Sequence, residues 1–324
     1  MTQAHPLEYI RSAQASFFRL PMARFDQRDA GVYRGSDAVI LGVPWDGGTT
    51  YQPGARLAPY HLRRVSALVQ PHHPAHQIDV FGTLRACDGG NIVTPPFDPA
   101  GARERIETEV SHVLAAEAVP FLVGGDHSIA LPALRAFARA NGPMAVIHID
   151  AHLDTSSAEL WGEQFHHGTP FRHALEEGLI AKGQLHQVGI RATWGTANDD
   201  AVSRRHGGTI TTIDEVMEIG VIRLANRLLT KIGSLPTWIS FDVDAIDPAF
   251  APGTGTPVPG GLSAREAIAF MRALKGIRPC GMDLVEVNPA LDHADITVHL
   301  GAQLLFEGLA LLAVSKRPER RRDS

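Results

Sequence analysis

From Asp37 onward the chain alternates short apolar runs with longer stretches of helical periodicity. The runs AVILGVP (38–44), VPFLVGG (119–125), MAVIHID (144–150), HQVGI (186–190), TWISFDVD (237–244) and CGMDLVEV (280–287) each read as a strand buried on both faces. Helical patterns cover 100–118, 128–141, 170–181, 221–233, 263–275 and 296–314, and Ser263 stands three residues before Glu266 in the form of a capping box. Strands alternating with helices predict an α/β fold, with a parallel sheet between helix layers.

No composition shift, Ser/Gly linker or internal repeat divides the pattern, so residues 36–315 are expected to form a single domain. Residues 1–35 carry Phe17, Phe18, Leu20 and Met22 without a clear period, and read as an arm packing on the body or on a neighbouring subunit. The tail KRPERRRDS (316–324) reads as a solvated end. His72, His73 and His76 sit among prolines and are expected to form a surface histidine group rather than a metal site.

Composition narrows the function. The 324 residues are 44% hydrophobic, enough for a large core. A net charge of -5 argues against nucleic acid and suits a small cationic substrate. The two cysteines, Cys87 and Cys280, lack CxxC spacing, so neither a disulfide framework nor a thiolate zinc site is suggested, and a reducing cytoplasmic location is expected. The first residues lack the apolar core of a signal peptide, and no apolar run long enough to span a bilayer is read anywhere, so no membrane association is expected.

The informative feature is where the runs end. VPFLVGG leads into Asp126, His127 and Ser128; MAVIHID ends in Asp150 and continues to His152 and Asp154; TWISFDVD carries Asp242 and Asp244. In open α/β sheets, ligands bind beyond the carboxyl ends of the strands. Extended residues at i, i+2 and i+4 share a face, so Asp150, His152 and Asp154 can point at one spot. So many carboxylates in an apolar setting would repel one another unless cations sat among them. Four carboxylates with His127 and His152 balance two divalent ions, with some carboxylates bridging. Oxygen-rich ligation without sulfur favours Mn²⁺, with Ni²⁺ or Co²⁺ as alternatives. Asp126 and Asp247 read instead as cap or turn residues.

These residues resemble the signatures of the ureohydrolase family, the arginases and agmatinases. The matching segments are GGDHS (124–128), DAHLD (150–154) and SFDVDAIDPAFAPGTGTPVPGG (240–261), supported by VPWDGGTTYQPGAR (43–56), FHHGTPF (165–171) and VEVNP (285–289). The resemblance implies a three-layer αβα arginase-like fold with a mostly parallel central sheet, usually assembled as a trimer or hexamer. It implies one metal held by His127, Asp150, Asp154 and Asp242, and a second by Asp150, His152, Asp242 and Asp244. His167 matches the family's proton-shuttling histidine and Glu286 the carboxylate that receives the guanidinium. Asp154 becomes the carrier of the proton that the leaving amine requires. The expected reaction is hydrolysis of a guanidino compound to urea and an amine.

Within the family, FHHGTPF has the agmatinase-like form, and TSSAELWGEQFH (155–166) lacks the arrangement arginases use for an α-amino acid, so agmatine is the first expectation. Gln52 stands where relatives often have arginine, and Leu57-Ala58 where Phe-Gly is usual. The alternatives are guanidine, guanylurea, a biguanide or a guanidino acid, with nickel in place of manganese, or a non-catalytic subunit of a hetero-oligomer. A one-zinc deacetylase relative is a third. Trp161 reads either as stacking on a cationic planar group or as a loop aromatic packing on the body, Glu159 and Glu163 either as holding a distal ammonium or as solvated, and His166 as an ordinary loop histidine.

Overall fold

The structure, a computed structural model, describes residues 3, 15–23, 30–157 and 161–316. Eight strands form one sheet: β1 Ala38–Gly42, β2 Ala86–Asn91, β3 Val119–Val123, β4 Met144–Ile149, β5 Ile180–Ile190, β6 Thr209–Thr212, β7 Pro236–Asp242 and β8 Arg278–Val285. Their order is β2-β1-β3-β8-β7-β4-β5-β6. Every neighbouring pair in it is parallel.

Alternate side chains of the central strands enter two separate apolar clusters, one on each face of the sheet. Ile147, Ile149, Ile239, Phe241, Met282 and Leu284 join the cluster that holds the helices Ala58–Ser66, Val221–Ile232, Ala264–Ala273 and Ile296–Ser315. Val146, Trp238 and Val285 join the one under Pro99–Ala115, Ala130–Asn141 and Pro170–Glu176. The result is the expected helix–sheet–helix sandwich. Ser263 and Glu266 make the reciprocal capping box read from the sequence, and Thr212 and Glu215 make a second.

The structure differs from the expectations at identifiable places. Four strands were not anticipated: the short antiparallel pair His72–His73 and Ile78–Asp79, and the two edges of the main sheet, Ala86–Asn91 with its two glycines and Thr209–Thr212, short and only half-buried. The helix expected over 170–181 stops at Glu176, because Ile180 already begins β5. Helices Ala58–Ser66, Ala201–Arg205 and Ile213–Ile219 add to those predicted.

Against the expectation that no segment could span a bilayer, Ile296–Ser315 is long and apolar enough by length and composition, with mean hydropathy 1.6. However, 83% of that window is buried inside the protein, and the helix carries the buried Glu307, so it packs as a core helix. His73 also departs from its expected place on the surface. It is fully buried, with Nε2 2.8 Å from Glu307 Oε2, and Arg272 and Gln303 bond the other oxygen of Glu307. His72 is exposed and His76 half-buried, its ring stacked on His73 at 4.5 Å.

The described part of the N-terminal arm packs on the body. Phe17 and Phe18 are fully buried; their backbone N–H groups donate to Asp88 Oδ2 at 2.9 Å and to Ser66 Oγ at 3.0 Å.

Candidate metal centre

The strands that carry the chemistry, β3, β8, β7 and β4, are consecutive in the middle of the sheet. Their carboxyl ends therefore meet at one place, buried from most of the solvent. His127 follows β3 and its Nδ1 lies 3.1 Å from Asp150 Oδ2, 2.9 Å from Asp154 Oδ2 and 3.2 Å from Asp242 Oδ2. Yet this Nδ1 has no hydrogen-bond partner. His152 Nδ1 lies 2.9 Å from Asp244 Oδ2 and 3.5 Å from Asp150 Oδ1. Asp150 thus faces both histidines, as a bridging carboxylate would.

Donor atoms around one octahedral cation at about 2.1 Å stand about 3 Å apart, the spacing around His127 Nδ1. The electrostatics agree. Burial and the charges of Asp244 and Asp150 push the Asp242 carboxyl well above its ordinary pKa. Burial and Asp150 likewise raise that of Asp244. Burial opposes charge on His127, but the carboxylates of Asp150, Asp154 and Asp242 outweigh it and hold its pKa well above the usual value. All six expected residues converge, and their donor set of oxygens and imidazoles fits two divalent ions.

Local backbone geometry serves this convergence. Asp154 and Glu286 both adopt left-handed conformations, φ 50 and 61, which non-glycine residues rarely tolerate outside constrained sites. The turn after β7 is closed by Asp242 accepting from the Asp244 N–H at 2.8 Å. Asp126 acts as the expected cap, accepting from Ser128 N–H at 3.0 Å, but its Oδ2 also holds Gly48 N–H at 2.6 Å. Burial, then the charge of Glu286, raises the Asp126 carboxyl to about 6. Asp247 is the expected turn residue, accepting from Ala249, Gly260 and Gly261.

Beside the cluster, Glu286 Oε1 accepts the His127 N–H at 2.9 Å and lies 2.9 Å from His167 Nδ1. Thr50 Oγ1 lies 2.7 Å from His167 Nε2. Burial opposes charge on this imidazole, but Glu286 outweighs it and raises its pKa to about 9, so it is an imidazolium at neutral pH.

A cavity of about 220 Å³ opens over these residues, lined among others by Thr50, His152, Asp154, Trp161, His166, His167, Trp194, Asp242 and Asp244. Trp161 is thus where the sequence placed it, and 59% exposed. Glu163 is not: it is exposed, absent from the lining, and its carboxylate caps the backbone N–H groups of Gln164 and Phe165 at 2.8 and 3.2 Å. Glu159 lies outside the described residues.

Several supporting groups lie inside the apolar runs rather than at their ends. His148 Nε2 lies 2.7 Å from Asp150 Oδ2, and Gln187 Nε2 lies 3.2 Å from His148 Nδ1. His127 Nε2 lies 2.7 Å from Ser240 Oγ, which donates to Asp283 Oδ1 at 2.6 Å; Trp238 Nε1 donates to the other oxygen at 2.5 Å. Their signal was present, since a polar residue inside a run buried on both faces needs a partner.

A parallel α/β sheet whose central strands end in a cluster of aspartates and histidines fit to hold divalent ions is the arrangement of a class of metal-dependent hydrolases. The chain belongs to the arginase family, whose family model matches residues 36–310. It is 42% identical over 278 residues to proclavaminate amidinohydrolase of Streptomyces clavuligerus, covering 85% of this chain and 88% of the relative. The solved structure of that enzyme superposes with a TM-score of 0.87 over 93% of this chain and 98% of the other, at 40% identity. The chain is 41% identical over 276 residues to guanidinopropionase of Pseudomonas aeruginosa (85% and 86% covered). It is 39% identical over 283 residues to agmatinase of Proteus mirabilis (87% and 89% covered). The chain is accordingly an amidinohydrolase acting on carbon–nitrogen bonds of linear amidines.

Proposed function

We propose that the chain hydrolyses a guanidino compound to urea and an amine at the cluster described above. The observation that carries the reading is His127 Nδ1, buried among three carboxylates at 2.9 to 3.2 Å without a hydrogen bond, with Glu286 and His167 alongside. His127, Asp150, Asp154 and Asp242 would hold one divalent ion, and Asp150, His152, Asp242 and Asp244 the other. When bound, two such ions supply hydroxide near neutral pH by lowering the pKa of water. Manganese as the resident ion, with nickel or cobalt as alternates, a homo-oligomeric assembly of three or six chains and a cytoplasmic location belong to the same proposal.

The residues of the chain do the rest. Glu286, anchored through Oε1 to His127 N–H, orients the planar guanidinium by charge-assisted hydrogen bonds. Asp154 carries a proton to the departing amine, which leaves poorly unless protonated. His167, fixed between Glu286 and Thr50, exchanges that proton with solvent.

Two finer readings follow for the group the guanidino carbon carries. Agmatine, expected from the form of FHHGTPF, places a second cation at the outer end of the cavity, and similarity to agmatinase supports it. A guanidino acid places a carboxylate there, and similarity to guanidinopropionase supports it. The test is urea release by metal-reconstituted protein across agmatine, 4-guanidinobutyrate, arginine, guanidine and guanylurea. The proposal requires urea from at least one, abolished by Asp150→Asn; no urea from any, with both ions bound, overturns it.

A further inference from the structure

We infer that His148 is a positioning residue and not a metal ligand: oriented by Gln187, it donates the hydrogen bond that sets Asp150 as the carboxylate shared between two divalent ions. The inference rests on the reading of the cluster as a two-ion centre.

His148, Asp150, Gln187 and Ser203 are all fully buried. His148 lies on β4 and Asp150 one residue past its end, so the two share a face. Across the parallel pairing of β4 with β5, His148 stands opposite Gln187. The amide of Gln187 fixes the direction of the whole row. Its nitrogen lies 2.6 Å from the Leu153 carbonyl oxygen, which can only accept, and its oxygen accepts from Ser203 Oγ at 2.6 Å. That nitrogen therefore bears the hydrogens, and it also faces His148 Nδ1 at 3.2 Å. With Nδ1 accepting, the ring proton sits on Nε2, 2.7 Å from Asp150 Oδ2. A nitrogen that carries a proton has no lone pair for a metal. Of the four groups gathered at this point, His127, His148, Asp150 and Asp154, His148 thus stands apart as a donor. The Phe171 ring packs on it, with centroids 4.0 Å apart.

The consequence lies in the lone pairs of Asp150, two on each oxygen. Oδ2 accepts from His148 Nε2–H and lies 3.1 Å from His127 Nδ1. Oδ1 accepts from His152 N–H at 2.6 Å and lies 3.5 Å from His152 Nδ1. Each oxygen keeps one lone pair, and each stands beside a different histidine ligand. The carboxylate cannot turn both oxygens onto a single ion without giving up a buried hydrogen bond, so it is held in the orientation of a bridge.

The test is titration of metal-free protein with Mn²⁺, the free ion being counted by electron paramagnetic resonance. Urea release is followed in parallel, and melts of the metal-free forms separate a loss of affinity from a loss of fold. His148→Met removes the donor and Gln187→Met the amide that orients it; each is expected to weaken Mn²⁺ binding about 10- to 100-fold and to diminish the exchange-coupled signal of a bridged Mn²⁺ pair. His148→Gln places an amide nitrogen as far along the side chain as Nε2 and should bring the affinity back to within about threefold of wild type. Ser203→Ala leaves the Leu153 carbonyl to hold the amide and should stay in the same range. Wild-type affinity in both His148→Met and Gln187→Met overturns the inference. So does a loss in His148→Gln as large as in His148→Met, which marks the ring as a ligand or as packing against Phe171. If His148→Met does not fold, Gln187→Met and His148→Gln decide. Two ions bound without urea release overturns the proposed reaction, while the same affinities still decide the role of His148; no Mn²⁺ uptake by the wild type overturns both.

Discussion

Replacing Asp283 by asparagine should weaken metal binding far more than it weakens the fold. Asp283 is fully buried on β8 and accepts two hydrogen bonds, from Ser240 Oγ at 2.6 Å and Trp238 Nε1 at 2.5 Å. With a cation held at Nδ1, the ring proton of His127 would sit on Nε2 and be donated to Ser240 Oγ, 2.7 Å away, whose own proton goes to Asp283. Asparagine keeps the shape but has one acceptor oxygen. If that oxygen serves Trp238, the amide N–H₂ faces Ser240, whose proton then turns toward His127 and favours the tautomer with Nδ1–H, the wrong one for a ligand. Partners one step beyond the ligands are typically worth about 10- to 100-fold in metal affinity, or about 1.4–2.7 kcal/mol. The metal-free fold should lose less, within about 1 kcal/mol, because burial already raises the pKa of Asp283 and a neutral side chain relieves that cost. Competition titration with a chromogenic chelator gives the affinity and urea melts give the stability. A folded variant whose metal affinity stays within threefold of wild type would refute the proton chain.

Removing the ions altogether should be felt by the whole fold. Chelation is expected to lower Tm by roughly 5–10 °C, from about 2.7 kcal/mol of linkage at a hundredfold excess over Kd, and readdition of Mn²⁺ should restore it; an unchanged melt means the cluster does not hold metal. Glu307→Gln should cost about 3 kcal/mol at pH 7 by breaking the buried group with His73 and Arg272. Despite burial, these partners hold the Glu307 pKa below 4.5, so the stabilisation is full above that value and fades as pH falls through the lower folded one; wild type and variant should converge in acid. His186 behaves with the opposite sign. It is fully buried, and burial together with Lys231 lowers its pKa from 6.5 to about 4, so the unfolded chain binds the proton better. Wild-type stability should therefore fall between pH 6.5 and 4, and His186→Gln should flatten that slope in a pH series of melts.

The central strands were legible because they are buried on both faces and so are written as unbroken apolar runs. The edge strands were not: the glycines and Asp88 of ACDGGN break the pattern, and TITT is too short to register. The six ligand candidates stood out as polar endings to apolar runs. His148 and Asp283 lay inside such runs, where only the strand order reveals what they face. His73 is buried because Glu307, 234 residues away in sequence, meets it across the fold, a pairing no local window contains. In the loop before His167, Glu163 and Trp161 both looked able to meet the substrate, and only the capping of two backbone N–H groups turns Glu163 aside.

The most direct test of a two-ion amidinohydrolase is the rate of urea release against the number of Mn²⁺ ions bound per chain, titrated from metal-free protein. Little urea is expected with the first equivalent, and a rise to the maximum with the second. A maximum reached at one ion, or no urea at two, would contradict it.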